Sequence, residues 1–138
     1  MIETVRTVLR FALAAFFLFA GVGHFTQTAF FVEIVPAYLP APEALVYLSG
    51  AAEMLGGAGV LIPGVRRYAG WGLLALLVAV FPANLDMALN PKPLQHAPAW
   101  MGQPSQLGLW LRLPFQAAFM VWVWWTTLAE PRTGIGAS

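Results

Sequence analysis

The chain has 138 residues, of which 59% are apolar and 9% charged, with a formal net charge of +1. Soluble domains carry roughly 45–50% apolar and about 25% charged residues, so this composition excludes an ordinary soluble domain and a disordered chain. One membrane span takes about 20 residues, so the length allows four spans joined by short loops.

The first apolar run covers residues 5–23, with Arg6 and Arg10 near its start. A basic start before an apolar stretch also suits a signal peptide. However, no convincing small-x-small cleavage site follows, and three similar segments do, so we read a mature span. Residues 24–43 carry Phe30-Phe31-Val32-Glu33-Ile34-Val35 and then Pro36, Pro40 and Pro42. That pattern reads as a short helix at the membrane surface followed by a stiff connection. The second span, 44–62, is rich in small residues, and the third, 68–89, is nearly continuous Leu, Ala and Val until Pro82. Residues 90–106 form a Pro-rich loop with Trp100 and Met101. The fourth span, 107–129, carries Arg112, Pro114 and Gln116 in its first half.

The expected architecture is therefore an all-α, single-domain bundle of four transmembrane helices. Arg6, Arg10, Arg66, Arg67 and Arg132 fall on one side and Lys92 on the other, which places both termini in the cytoplasm. Residues 24–43 and 90–106 are then the outer loops. They either fold over the outer mouth of the bundle or serve as plain surface connections.

Ionisable groups inside a bilayer are costly and usually face the bundle interior. Glu53 lies near the middle of the second span. Gly50 and Gly57 share its face, so the carboxyl points at a neighbouring helix rather than at lipid. Arg112 and Gln116 are four residues apart on one face of the fourth span, and an Arg112–Glu53 pair would offset part of the cost of burying both charges. His24 closes the first span. Asn84 and Asp86 close the third but point ~200° apart on an ideal helix, and periodicity favours Asp86 as the inward one. All six residues fall in the outer half of the membrane, and the inner half is almost purely apolar. The expectation is a polar cavity between the helices, open towards the outer side and closed on the cytoplasmic side. Trp122, Trp124 and Trp125 read as an interface belt and packing material. Gly50, Gly56, Gly57 and Gly59 are expected to pack within the bundle, although the sequence leaves a homo-oligomer open.

The chain has no cysteine, which excludes disulfides, thiol relays, iron–sulfur clusters and thiolate zinc sites. Two histidines are too few for a bis-histidine haem or a multi-histidine metal centre, so neither a metal nor an intrinsic cofactor is expected. The small net charge gives no reason to expect nucleic-acid binding.

The segments Gly21-Val22-Gly23-His24-Phe25, Ile34-Val35-Pro36 with Leu39-Pro40, Ser49-Gly50-Ala51-Ala52-Glu53 with Gly56-Gly57, Pro63 with Arg66, Phe81-Pro82-Ala83-Asn84, and Arg112-Leu113-Pro114-Phe115-Gln116 occur in this order. Together they resemble the DoxX family of small bacterial four-helix membrane proteins, over nearly the whole chain. The resemblance implies residence in the bacterial cytoplasmic (inner) membrane and an association with redox metabolism. Members are described as the quinone-reducing membrane part of a thiosulfate-oxidising enzyme and as membrane partners of soluble oxidative-stress proteins. It carries over His24, Glu53, Asn84, Arg112 and Gln116, and so favours Asn84 where periodicity favours Asp86.

Three functions compete. A redox-linked subunit would bind a quinone or similar small molecule. His24, Asn84 or Asp86, Arg112 and Gln116 would hold it, Glu53 would exchange protons, and a soluble or membrane oxidoreductase partner would supply electrons. A small-solute transporter would use Arg112 for binding and Glu53 for proton coupling, but no internal repeat supports it. A non-catalytic partner or assembly subunit would use the polar cluster only to set helix register. Enzyme activity is left open among these.

Overall fold

The computed structural model describes residues 1–129. Helix α1 covers Ile2–Thr26, α2 Thr28–Ile34, α3 Pro42–Gly59, α4 Arg66–Leu89 and α5 Gln106–Thr127. No strand occurs among the described residues. The four long helices close a ring: α1 packs along α3, α3 on α4, α4 on α5, and α5 back on α1.

Three of these helices, α1, α4 and α5, are long and apolar enough to cross a membrane. Helix α3 has 18 residues and carries Glu43 and Glu53, which lower its mean hydropathy. The outward faces bear large exposed apolar side chains, among them Phe19, Leu55, Trp71 and Val121. Water would oppose such a surface, whereas hydrocarbon would not.

Glycines set the close approaches, and they do so inside the bundle. A Cβ on Gly50 would lie 2.6 Å from the His24 Cβ, and one on Gly21 would lie 2.8 Å from the Gly50 carbonyl oxygen, so α1 and α3 meet almost backbone to backbone. Gly57 also faces α1, whereas Gly56 faces Leu73 of α4 and Gly59 faces Ala69. Helix α3 therefore uses one small face for α1 and another for α4.

Two apolar clusters stand at different levels. At the end where the termini lie, Leu13, Ala14, Phe17, Val60, Leu73 and Val123 form the main core. At the other end Phe30, Met87, Ala88, Leu94 and Leu109 form a second cluster, with Phe31, Ile34 and Ala97 against it. The segments 24–43 and 90–106 therefore fold over this end of the bundle, which decides between the two expectations for them. We call it the lid end. The short α2, Thr28–Ile34, falls where a short helix around residues 30–35 is expected, and Phe30 is its buried anchor.

The arginines at the termini end do more than mark a boundary. Arg10 is buried and donates from Nε and Nη2 to the Thr126 carbonyl at 3.1 and 3.0 Å. Arg67 donates to the Leu128 carbonyl at 3.2 Å. Both satisfy carbonyls that the last turn of α5 leaves without helical partners. Arg6 lies 5.0 Å from the centre of the Trp125 ring, and the Trp122 indole donates to the Leu9 carbonyl at 3.1 Å. These two tryptophans are thus tied to α1, while Trp124 is exposed. Arg132, used above for orientation, lies outside the described residues.

Candidate functional site

Between the two apolar clusters lies a cavity of about 630 Å³. Its walls come from α2 and the connection after it, from α3, from α4 and from single residues of the remaining segments. Most of the lining is aliphatic or aromatic, including Phe30, Ile34, Leu39, Leu48 and Leu76. The polar exceptions are His24, Ser49, Glu53, Asn84 and Arg112. The expected polar cavity is in fact an apolar cavity with polar groups on part of its wall.

The bond pattern around His24 fixes how its ring is protonated. Nδ1 lies 2.9 Å from the Val46 carbonyl oxygen and 3.0 Å from Ser49 Oγ. The Ser49 hydroxyl donates to the same carbonyl at 3.0 Å. A carbonyl oxygen can only accept, so Nδ1 carries a hydrogen and donates. The Phe31 ring stacks on the imidazole with centroids 4.0 Å apart, which holds the ring plane from the lid side. Nε2 is left facing Oε2 of Glu53 at 3.2 Å.

That contact has a chemical consequence. A neutral His24 with hydrogen on Nδ1 presents a lone pair at Nε2, and an ionised Glu53 presents another at Oε2. One proton between them, carried either as a carboxylic acid or as an imidazolium, would satisfy both atoms. Oε2 is fully buried, and Nε2 approaches it off the line of an ideal hydrogen bond. The Glu53 side chain keeps 15% of its surface exposed and lines the cavity. The pair is therefore a one-proton store at a cavity wall.

The expected Arg112–Glu53 pair does not form. Glu53 goes to His24, because Gly21 and Gly50 bring α1 and α3 together at that level. Arg112 lines the same cavity, and no carboxylate among the described residues is paired with it.

Gln116 is buried but does not line the cavity. Its carboxamide accepts from Asn84 Nδ2 at 2.8 Å and donates to the Leu77 carbonyl, clasping α5 to α4 below the turn that Pro82 loosens. Asn84 is thus held from behind while its residue faces the cavity. Asp86 is not part of the lining, and its Oδ1 accepts from Asn90 at 3.1 Å near the end of α4. The cavity face of α4 is a regular stripe through Leu76, Ala79, Val80, Ala83 and Asn84, and the expectation for Asp86 follows Ala79 and Ala83 to its other edge.

Two features went unseen in the sequence. Ser49, one turn before Glu53, orients His24; the four-residue spacing on one face was the available signal. The second is a latch across the lid. The Glu33 carboxylate accepts from the backbone N–H groups of Gln95 and His96, both at 3.1 Å, and from His96 Nδ1 at 2.9 Å. Partial burial pushes the Glu33 pKa up, but these three donors together outweigh it and hold the carboxyl below the usual glutamate value. Gln103 closes the same loop by accepting from the Leu94 N–H and donating to its carbonyl, at 2.8 and 2.7 Å. No group of three or more His, Cys, Asp or Glu residues able to hold a metal occurs among the described residues.

A helical bundle with an apolar, lidded cavity and a His–Glu pair in its wall is the class of protein that fold and site define. Residues 13–127 match the family described as a domain of unknown function (DUF8561), and the chain belongs to that family. No curated protein and no solved structure matches it.

Proposed function

We propose that the chain is a four-span protein of the bacterial inner membrane, related to DoxX proteins, that binds a quinone or similar small ring compound in its cavity. The observation that carries this reading is the His24–Glu53 pair, its facing atoms 3.2 Å apart, set in the wall of a mostly apolar space of about 630 Å³. Reduction of a quinone takes up two electrons and two protons, and the pair supplies one proton at the ligand. The electrons come from an oxidoreductase partner, since the chain has no cysteine for a thiol relay.

Helix α3 serves as the fourth span. Its 18 residues reach ~27 Å at ~1.5 Å per residue, close to the ~30 Å hydrocarbon core. Its two glutamates fit this role, since Glu43 stands in the first turn and Glu53 is paired. Arg6, Arg10, Arg66 and Arg67 gather at one end and Lys92 at the other, which supports cytoplasmic termini.

Protein in lipid nanodiscs, titrated with 2-methyl-1,4-naphthoquinone and followed by tryptophan quenching, tests the binding reading. Saturable binding that weakens in Glu53→Gln supports it. Absence of saturable binding for every ring compound tried sinks it. Alkaline phosphatase fused at the C-terminus tests the orientation, and strong periplasmic activity would reverse it.

A further inference from the structure

We infer that the ligand is a monoanion, an ionised oxygen acid on an apolar body; this rests on the reading of the cavity as a binding site. The argument is one of pairing. Among the cavity-lining residues only His24, Glu53 and Arg112 carry ionisable groups. His24 and Glu53 face each other at 3.2 Å, so the carboxyl of Glu53 is turned to His24 and not to Arg112. No carboxylate among the described residues contacts Arg112.

Arg112 therefore faces the cavity as a cation without a carboxylate in contact. Arginine stays protonated in proteins, so the charge cannot be shed. The other carboxylates of the lid end lie outside the lining: Glu33 holds Gln95 and His96, Asp86 accepts from Asn90, and Glu43 stands in the first turn of α3. A guanidinium among Leu, Ala and Val side chains is costly, and a bound anion removes that cost. The apolar walls select for a ligand whose remainder is hydrocarbon or aromatic, which excludes small inorganic anions. Asn84 adds a neutral amide to the lining, fixed by its bond to Gln116.

An enolate or phenolate on a ring and a carboxylate on an alkyl chain share this chemistry. The site then acts on, or senses, the ionised form of a lipophilic acid. The proton of the His24–Glu53 pair stands ready for a ligand oxygen that becomes basic during the chemistry.

The test uses two rings of nearly equal size in nanodiscs: 2-hydroxy-1,4-naphthoquinone, which is anionic at neutral pH, and neutral 2-methyl-1,4-naphthoquinone. Octanoate serves as a non-ring anion. The hydroxy compound should bind about tenfold tighter than the methyl compound, the value of one charge-assisted contact. Arg112→Gln should abolish that preference, and Arg112→Lys should keep most of it. The lysine variant also guards against a glutamine variant that fails to fold, because loss of the preference in a folded Arg112→Lys would count against a charge mechanism. Octanoate competing with the hydroxy compound points to acyl acids; failure to compete points to ring enolates, and both agree with a monoanion. Equal binding of the two rings overturns the monoanion and leaves the cavity reading standing. Binding of neither ring, nor of octanoate, overturns both.

Discussion

The two ends of this bundle solve the same problem in opposite ways. At the termini end, the helices close on Leu13, Phe17, Leu73 and Val123, and arginines reach back to cap the last carbonyls of α5. At the lid end the helices part, and the gap is roofed by α2 and the 90–105 segment. One end spends its few charges on joining helices. The other leaves one cation, Arg112, facing a cavity. A polar group that clasps a neighbour is structural by its geometry, whereas one that lines a space without a partner is available to a ligand. By that criterion Gln116 and Arg10 belong to the first kind, and Arg112 belongs to the second.

The largest test of this contrast removes the anchor of the roof. Phe30→Ala empties a fully packed position of the second cluster and should cost about 3 kcal/mol. Because α2 is short, the loss should be local. Amide exchange should rise across residues 28–35 and 94–103, while α1 and α5 near Leu13 and Val123 keep their protection. A uniform rise along all helices would show that the two ends are one cooperative unit.

Gly50→Ala sits between the two regions. Its Cβ would fall 2.6 Å from the His24 Cβ and 3.1 Å from the Gly21 carbonyl oxygen, so α1 and α3 must separate. We expect a loss of about 2 kcal/mol in thermal unfolding, with weaker ring binding because His24 and Glu53 are spread. Unchanged binding would detach the pair from the site.

Much of this fold was legible because long apolar helices write themselves into composition. The four long helices, the surface helix after Pro-flanked residues, and the role of Glu53 in facing a neighbouring helix follow from apolar run length and glycine spacing. Partners were less legible. Glu53 has His24 and Arg112 within its reach in sequence terms, and only the glycine contact at Gly21 and Gly50 decides for His24. Asn84 and Asp86 flank opposite edges of the stripe through Ala79 and Ala83, so the wheel alone could not choose between them, and the lining takes Asn84. The Glu33–His96 latch joins two loops more than sixty residues apart, and no periodicity connects them.

Arg10→Met tests the termini end. It keeps the apolar stem but removes two N–H donors from the Thr126 carbonyl, and should cost about 1.5 kcal/mol. Ring binding should be unaffected, since the cavity shares no residue with this cap. Loss of binding would mean that the two ends communicate.

The smallest expected effect concerns the latch, and it carries a pH sign. Glu33 is held below the usual glutamate value when folded. Its contribution is therefore fully present above the unfolded glutamate pKa and is lost as pH falls through the lowered folded value. The pair with His96 is exposed, so Glu33→Gln should cost less than about 1 kcal/mol. The amide cannot accept from three donors as a carboxylate does, so exchange at Gln95 and His96 should rise while Phe30 stays packed. In the parent protein the same rise should appear only on acidification below the glutamate range, and Glu33→Gln should remove that dependence. A lid whose exchange is already independent of pH in the parent would show that Phe30 and Leu94 hold the roof without the latch, and the lid end would then be closed by apolar packing alone, as the termini end is.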